Sequence, residues 1–142
     1  MKKTVESYSP DETRALAREM SENARAGQIY TLDGDLGAGK TVFAKGFAEG
    51  LGIREIVNSP TFTILQSYEG GRLTMHHFDV YRIADPEEME EIGYEEFFYG
   101  DGVCLVEWAD QIADLIPDDA VRIRIARDPD KGTDYRKITV DE

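Results

Sequence analysis

The sequence predicts a three-layer α/β domain whose central sheet contains both parallel and antiparallel strands. A short β-prone run at 28–32 leads through glycines into a helical pattern that begins at Lys40. Two further β-prone runs, 61–68 and 72–81, flank a glycine turn and predict an antiparallel hairpin. The apolar run 103–106 is typical of a central strand that is buried on both faces.

The size and charge of the chain limit what it can do alone. A length of 142 residues suits one domain, and we expect that domain to span 1–142. The chain is too short for a separate substrate domain as well. Hydrophobic residues make up 41% and charged residues 32%, as in ordinary globular proteins. The formal net charge of −13 opposes independent binding to a polyanion such as tRNA or DNA and favours a basic partner surface.

The sequence also indicates a cytoplasmic location. No apolar run is long enough to span a membrane, and the N-terminal MKKTVESYSPDE lacks the apolar segment of a secretory signal. The single cysteine, Cys104, cannot form an internal disulfide, and we interpret it as a buried strand residue.

Capping patterns and alternation define the remaining elements. Ser9, Pro10 and Glu12 form a capping-box pattern that predicts the start of the first helix. Its apolar face is expected at Leu16, Met20 and Ala24, and its end at Gly27. Gly50 and Gly52 are expected to end the helix that follows the glycine loop. A second capped helix begins near Asp85 and continues past Gly93, and the tail predicts two half-solvated strands around the loop 128–134.

The segment GDLGAGKT, residues 34–41, matches the phosphate-binding pattern G-x-x-x-x-G-K-[ST] and predicts a P-loop NTPase-like fold. Glycines let successive backbone N–H groups face the phosphates, an ammonium contacts the outer phosphates, and a hydroxyl ligates Mg²⁺. We therefore expect a nucleoside triphosphate with Mg²⁺ at this loop. The expected contacts are the backbone of Gly37, Ala38, Gly39, Lys40 and Thr41, the Lys40 ammonium, and the Thr41 hydroxyl as a metal ligand.

Two carboxylates could complete a hydrolytic site. Asp79 ends the run His77-Phe78-Asp79, and Glu107 ends the apolar run 103–106. A P-loop site needs an acid at the end of a neighbouring buried strand to hold Mg²⁺. We assign this role to Glu107, because its strand is the more continuously apolar, and we expect Asp79 to orient or activate the attacking water.

The roles of Trp108 and of one turn remain open at this stage, and the two histidines have a structural interpretation. Trp108 could stack on a base or on a partner, or could pack in the core. The turn Ser59-Pro60-Thr61 could sense the γ-phosphate, although its composition indicates only a turn. His76 and His77 are interpreted as strand residues, one directed inward and one outward.

Five motifs in order resemble the TsaE family, also called YjeE, of bacterial P-loop ATPases in tRNA threonylcarbamoyladenosine synthesis. They are GDLGAGKT (34–41), NSPTF (58–62), HFDVYR (77–82), ADPEEMEEIG (84–93) and LVEWAD (105–110). The resemblance implies a compact P-loop domain that hydrolyses ATP slowly and acts with the TsaD and TsaB proteins. It would reach tRNA only through that complex, which modifies the adenosine next to the anticodon in tRNAs that read codons beginning with A.

The resemblance also implies roles for individual residues. Asp79 and Trp108 would be needed for turnover, Glu107 would be the second magnesium-linked acid, and Ser59 to Phe62 would form a switch-like segment. The stretch that contains Glu12 would approach the nucleotide base. Many family members have a second threonine where this chain has Val42, so contact with the α-phosphate there would be lost or made by the backbone N–H.

Two other function classes compete with an ATPase that acts on a partner complex. A small-molecule kinase would need an acceptor site and an arginine-bearing lid, whereas the clustered arginines here, Arg122, Arg124 and Arg127, lie on a predicted strand. A non-catalytic nucleotide switch would control partner docking by ATP binding alone.

Overall fold

The computed structural model describes residues 2–35, 38–58 and 64–142. Within this part of the chain, a seven-stranded sheet has the order β1-β7-β6-β2-β5-β4-β3. Its strands are β1 Lys2–Ser7, β2 Ile29–Asp33, β3 Leu65–Tyr68, β4 Met75–Asp79, β5 Val103–Glu107, β6 Val121–Arg127 and β7 Arg136–Asp141. The helices are α1 Pro10–Glu22, α2 Lys40–Gly50, α3 Glu87–Glu91 and α4 Tyr94–Phe98, with 3₁₀ segments at Ala109–Leu115 and Pro129–Lys131.

The sheet is mixed, as the sequence predicts. Its four central strands, β6, β2, β5 and β4, are mutually parallel, and the outer strands β7, β1 and β3 run antiparallel to their neighbours. Helices α1 and α2 cover one face, and α3, α4 and the first 3₁₀ segment cover the other. The three-layer α/β prediction is therefore confirmed, and the carboxyl ends of four parallel strands meet at one edge of the sheet.

The central strand was identified correctly. Every residue of β5 is buried, and β5 pairs with β2, the strand that leads into the glycine loop. Cys104 is buried in this strand, and burial raises the pKa of its thiol to about 12. The prediction that the Glu107 strand neighbours the loop strand is confirmed, and β4, which ends at Asp79, lies one strand further out.

Several elements differ from those that the sequence predicts. The N-terminal residues 2–7 form an edge strand that the sequence analysis did not identify, because its alternation is weak and its residues are mostly exposed. The hairpin strands are shorter than the runs that predicted them, and residues 61–63 lie outside the described residues. The helix predicted after Asp85 is split into α3 and α4 at Gly93, whose φ of 69° belongs to the left-handed region.

The predicted apolar residues do face the core, since Ala24 is buried and Leu16 and Met20 pack against the core, but α1 buries smaller residues more deeply. The helix also ends at Glu22, before the predicted end at Gly27. Its fully buried positions are Thr13, Ala17 and Ser21, whereas Leu16 and Met20 are only partly buried. Small residues face α2 because the two helices cross closely. A β-carbon at Gly46 would collide with the backbone of Arg14 on α1.

Gly50 has a packing role rather than a terminating one. A β-carbon there would collide with Ser21 and with the backbone of Arg18 on α1. Gly52, with a φ of 85°, has the left-handed conformation common after a helix end. Close packing against α1 therefore helps to fix α2, whose first residue is Lys40.

Replacing Gly46 with alanine tests this packing. In an isolated helix, Gly→Ala is favourable by about 1 kcal/mol. Here the added methyl group must displace the α1 backbone, and we expect Gly46→Ala to lower the free energy of unfolding by about 1–3 kcal/mol. Chemical denaturation measures the change. The half-exposed neighbour Lys45 provides the control, because Lys45→Ala should change stability by less than about 0.5 kcal/mol. A stabilised Gly46→Ala variant would contradict the close crossing.

Candidate functional site

The candidate site lies at the carboxyl edge of the parallel strands, where the glycine loop enters α2. Gly39 precedes the helix with a φ of 101°, a left-handed conformation that favours glycine. Gly34 follows β2 so closely against β6 that a β-carbon there would lie 2.5 Å from the Ile125 carbonyl oxygen. The structure thus requires glycine at two of the fixed positions of the phosphate-binding pattern. Gly37, together with Leu36, lies outside the described residues.

Lys40 is buried at the start of α2. Its side-chain ammonium donates a hydrogen bond to the Gly34 carbonyl oxygen at 2.8 Å and lies 3.7 Å from the centre of the Trp108 ring. Burial lowers the pKa of Lys40, and the negative charges of Glu107, Asp79 and Asp33 oppose that shift. The ammonium is therefore surrounded by carbonyl, ring and carboxylate groups, all of which attract a cation.

The two predicted carboxylates lie side by side. Asp79 and Glu107 are register partners on β4 and β5, so their side chains share the sheet face that α2 covers. Asp79 is half-buried and accepts a hydrogen bond from the Tyr81 N–H at 3.1 Å. Burial raises the pKa of Asp79, and the charge on Glu107 adds to the shift. A carboxylate with a raised pKa is a better proton acceptor than an ordinary one.

Trp108 has an unusual backbone conformation. Its φ of 61° is the only left-handed value of a non-glycine residue in the described part of the chain. The next N–H, of Ala109, donates to the Asp33 carboxylate at 3.0 Å, and the Trp108 ring packs against Tyr81 with centroids 4.7 Å apart. A strained conformation persists where its surroundings hold it, and such positions concentrate at functional sites. Trp108 lies at the site through its contact with Lys40.

The remaining predicted residues border the entrance to the loop. Thr41 is exposed in the first turn of α2. A small groove lies between the start of α1 and the start of α2. It is lined by Pro10, Thr13, Gly39, the half-buried Val42, Asp134 and Arg136. The start of α1 therefore adjoins the loop.

Glu12 is held by the first turn of α1. Its carboxylate accepts a hydrogen bond from the Tyr8 N–H at 3.1 Å, and its own N–H donates to the Ser9 hydroxyl. The expected switch-like segment, Ser59 to Phe62, lies outside the described residues.

Sequence reasoning missed three residues of the site. Arg136 on β7 donates from Nε to the Ala38 carbonyl oxygen at 2.8 Å and so braces the glycine loop. Asp33 ends β2 at the same edge of the sheet, directly after the run 28–32 that predicted this strand. His77 is completely buried beside Glu107, with 2.5 Å between its Nε2 and the carboxylate Oε2. The spacing of two between His77 and Asp79 was the available signal, since alternate strand residues share a face.

The donor groups fit a magnesium ion that is held jointly with phosphates. Among the described residues, no three His, Cys, Asp or Glu side chains converge as a metal site of their own. Mg²⁺ in nucleotide sites uses one or two carboxylates or hydroxyls, and phosphate and water oxygens complete its octahedron. The Glu107 carboxylate and the Thr41 hydroxyl supply that kind of donor set. No helix among the described residues is long and apolar enough to cross a membrane.

Comparisons with known proteins identify the family. The family model described as "Threonylcarbamoyl adenosine biosynthesis protein TsaE" matches residues 7–138. A TsaE protein from Bacillus subtilis is 53% identical over 131 residues, which cover 92% of this chain and 80% of the relative. One from Haemophilus influenzae is 36% identical over 126 residues, which cover 83% of this chain and 79% of the relative. Both relatives carry the name tRNA threonylcarbamoyladenosine biosynthesis protein TsaE.

A solved structure agrees with these sequence comparisons. The crystal structure of YdiB from Bacillus subtilis superposes with a TM-score of 0.84 at 44% sequence identity, covering 99% of this chain and 84% of the YdiB chain. The family match spans most of the sequence, and the structural match spans nearly all of it. This chain belongs to the TsaE family.

Proposed function

We propose that this protein is a magnesium-dependent ATPase that acts in the formation of threonylcarbamoyladenosine in tRNA, through a complex of TsaD and TsaB. The proposal rests on one observation above all. Lys40 begins the glycine-loop helix, and its ammonium is attracted by the charges of Asp79 and Glu107, register partners at the ends of two parallel strands. This arrangement supports phosphate binding and the alignment of a water molecule for attack.

The chain's own residues would divide the work. Lys40 would leave the Gly34 carbonyl and contact the outer phosphates of ATP, and the loop backbone, braced by Arg136, would hold the triphosphate. Asp79 would accept a hydrogen bond from water as the water oxygen attacks the γ-phosphorus and ADP leaves. Glu107 and Thr41 would hold Mg²⁺, which neutralises charge that develops on the phosphate oxygens.

The charge distribution supports an indirect role at tRNA. Residues 84–121 contain thirteen acidic residues and no lysine or arginine, so the remaining residues hold sixteen acidic against sixteen basic side chains. The helices α3 and α4 fall in this acidic segment. A polyanion would be repelled from that side of the molecule. Partner proteins that hold the tRNA avoid this repulsion, in agreement with a role through TsaD and TsaB.

Phosphate release tests hydrolysis directly. We expect the wild-type protein with ATP and Mg²⁺ to release phosphate slowly, and faster when TsaD, TsaB and tRNA are added. Asp79→Asn and Glu107→Gln should lower the stimulated rate by roughly 100-fold, within the range for loss of a positioned acid or base. Asp101→Asn, an exposed carboxylate before β5, is the matched control and should retain the wild-type rate.

Other outcomes would favour the competing functions. A phosphorylated metabolite in place of free phosphate would identify a kinase. If Asp79→Asn and Glu107→Gln abolished hydrolysis but supported full tRNA modification, the chain would be a nucleotide switch. Absence of any stimulation by TsaD, TsaB and tRNA would remove the support for action through that complex.

The raised pKa of Asp79 predicts a trade-off between stability and activity. Burial makes ionisation of Asp79 unfavourable in the folded state, so its charge destabilises the fold above the raised pKa. An asparagine side chain carries no charge, and its amide oxygen can still accept the hydrogen bond from the Tyr81 N–H. We therefore expect Asp79→Asn to melt at a higher temperature than wild type at pH 7.

The pH dependence of this difference gives a further check. The stability advantage should be absent below the ordinary pKa of aspartate, about 4. It should grow as the pH rises from there to the raised pKa of Asp79, and then level off. Thermal unfolding from pH 4 to pH 8 measures it, with Asp101→Asn as a control that shows no such window. An Asp79→Asn variant that is less stable than wild type at pH 7 would contradict the burial cost.

A further inference from the structure

A buried histidine contacts the carboxylate that is proposed to hold magnesium. His77 lies on β4, two residues before Asp79, and its side chain is completely buried. Its Nε2 lies 2.5 Å from Oε2 of Glu107, which is 3% exposed. The surrounding positions on this face, Met75 and Leu105, are apolar and fully buried. His77 is thus a polar partner of Glu107 on the inner side of the sheet face, where Met75 and Leu105 offer only hydrocarbon.

The separation of the two atoms requires a proton between them. A bare Nε2 and an ionised carboxylate oxygen would repel each other at this distance. His77 Nδ1 is buried and has no hydrogen-bond partner among the described residues. A proton on Nδ1 would therefore be an unpaired buried donor, whereas a bare Nδ1 is less costly. The geometry favours an Nε2–H that donates to Glu107 Oε2.

We propose that His77 is a positioning residue that holds the Glu107 carboxylate in the orientation needed for magnesium. This inference rests on the proposed function, because that function makes Glu107 a magnesium ligand. With Oε2 committed to the imidazole, Glu107 offers Oε1 as a single, fixed ligand atom. Carboxylate ligands of metals are commonly oriented by such outer hydrogen-bond partners, and losing one weakens metal affinity by roughly 10–100-fold.

The alternative is that His77 only fills space in the core. A purely structural histidine would affect folding but not the magnesium concentration that ATP binding requires. Three variants separate these roles. His77→Gln places an amide donor near the position of Nε2, His77→Leu removes the donor at similar volume, and Met75→Ala disturbs the same strand and face without touching the acid pair.

The measurement is ATP binding by calorimetry during a Mg²⁺ titration, on folded protein. For His77→Leu we expect the half-saturating Mg²⁺ concentration to rise roughly 10-fold or more, and for His77→Gln to stay within a few-fold of wild type. Met75→Ala should melt at a lower temperature and keep the wild-type Mg²⁺ requirement. An unchanged requirement in His77→Leu would overturn the positioning role. A wild-type protein without any magnesium-dependent ATP binding would instead overturn the proposed function.

Nuclear magnetic resonance of the nucleotide-free protein tests the same inference without a variant of His77. The chain has only two histidines, so ¹⁵N labelling of imidazoles gives two ring systems, and His76→Gln identifies which belongs to His77. We expect a protonated Nε2 and a bare Nδ1 in His77. A bare Nε2 with the proton on Nδ1 would overturn the proposal, because His77 could then only accept from a protonated, neutral Glu107.

Discussion

The buried ammonium of Lys40 is the interaction on which the rest of the candidate site depends. It is 6% exposed, yet it shares its surroundings with the charges of Glu107, Asp79 and Asp33. Buried charges of one sign persist only when opposite charge or hydrogen bonds compensate them. Lys40 provides that compensation for the carboxylates, and they provide it for Lys40. The ammonium also contacts the Gly34 carbonyl and the Trp108 ring.

The fold brings these charges together through two packing constraints. Parallel pairing of β2, β5 and β4 places the ends of all three strands at one edge, so residues far apart in sequence become neighbours. The glycine-mediated crossing of α1 and α2 helps to fix the helix that carries Lys40 over the same edge. Ligands in open parallel sheets bind outside the carboxyl ends of the strands, as expected from this geometry. Helices α3 and α4, which lie in the acidic segment 84–121, take no part in this strand pairing and bear instead on which macromolecules can approach.

Much of this arrangement is visible in the sequence because it depends on local patterns. The glycine loop, the buried strand before Glu107 and the hairpin before Asp79 each have a short signature, and their order predicted both the fold class and the neighbouring carboxylates. What the sequence could not show depends on long-range pairing. The bond from Arg136 to Ala38 joins β7 to the glycine loop, and the contact of His77 with Glu107 exists only because β4 and β5 pair in one register. The most deeply buried positions of α1 were not predicted, because the close helix crossing selects small residues over large apolar ones.

The fluorescence of Trp108, the single tryptophan of the chain, tests the central claim most directly. The Lys40 ammonium lies 3.7 Å from its ring, so movement of that cation to the phosphates changes the ring's surroundings. Titration with ATP and Mg²⁺ should change the emission in a saturable manner in wild type. The change should be absent in Lys40→Met, which keeps the length of the side chain but not its charge. Emission that stays constant while calorimetry shows ATP bound to the wild-type protein would contradict the account, as would an equal change in Lys40→Met.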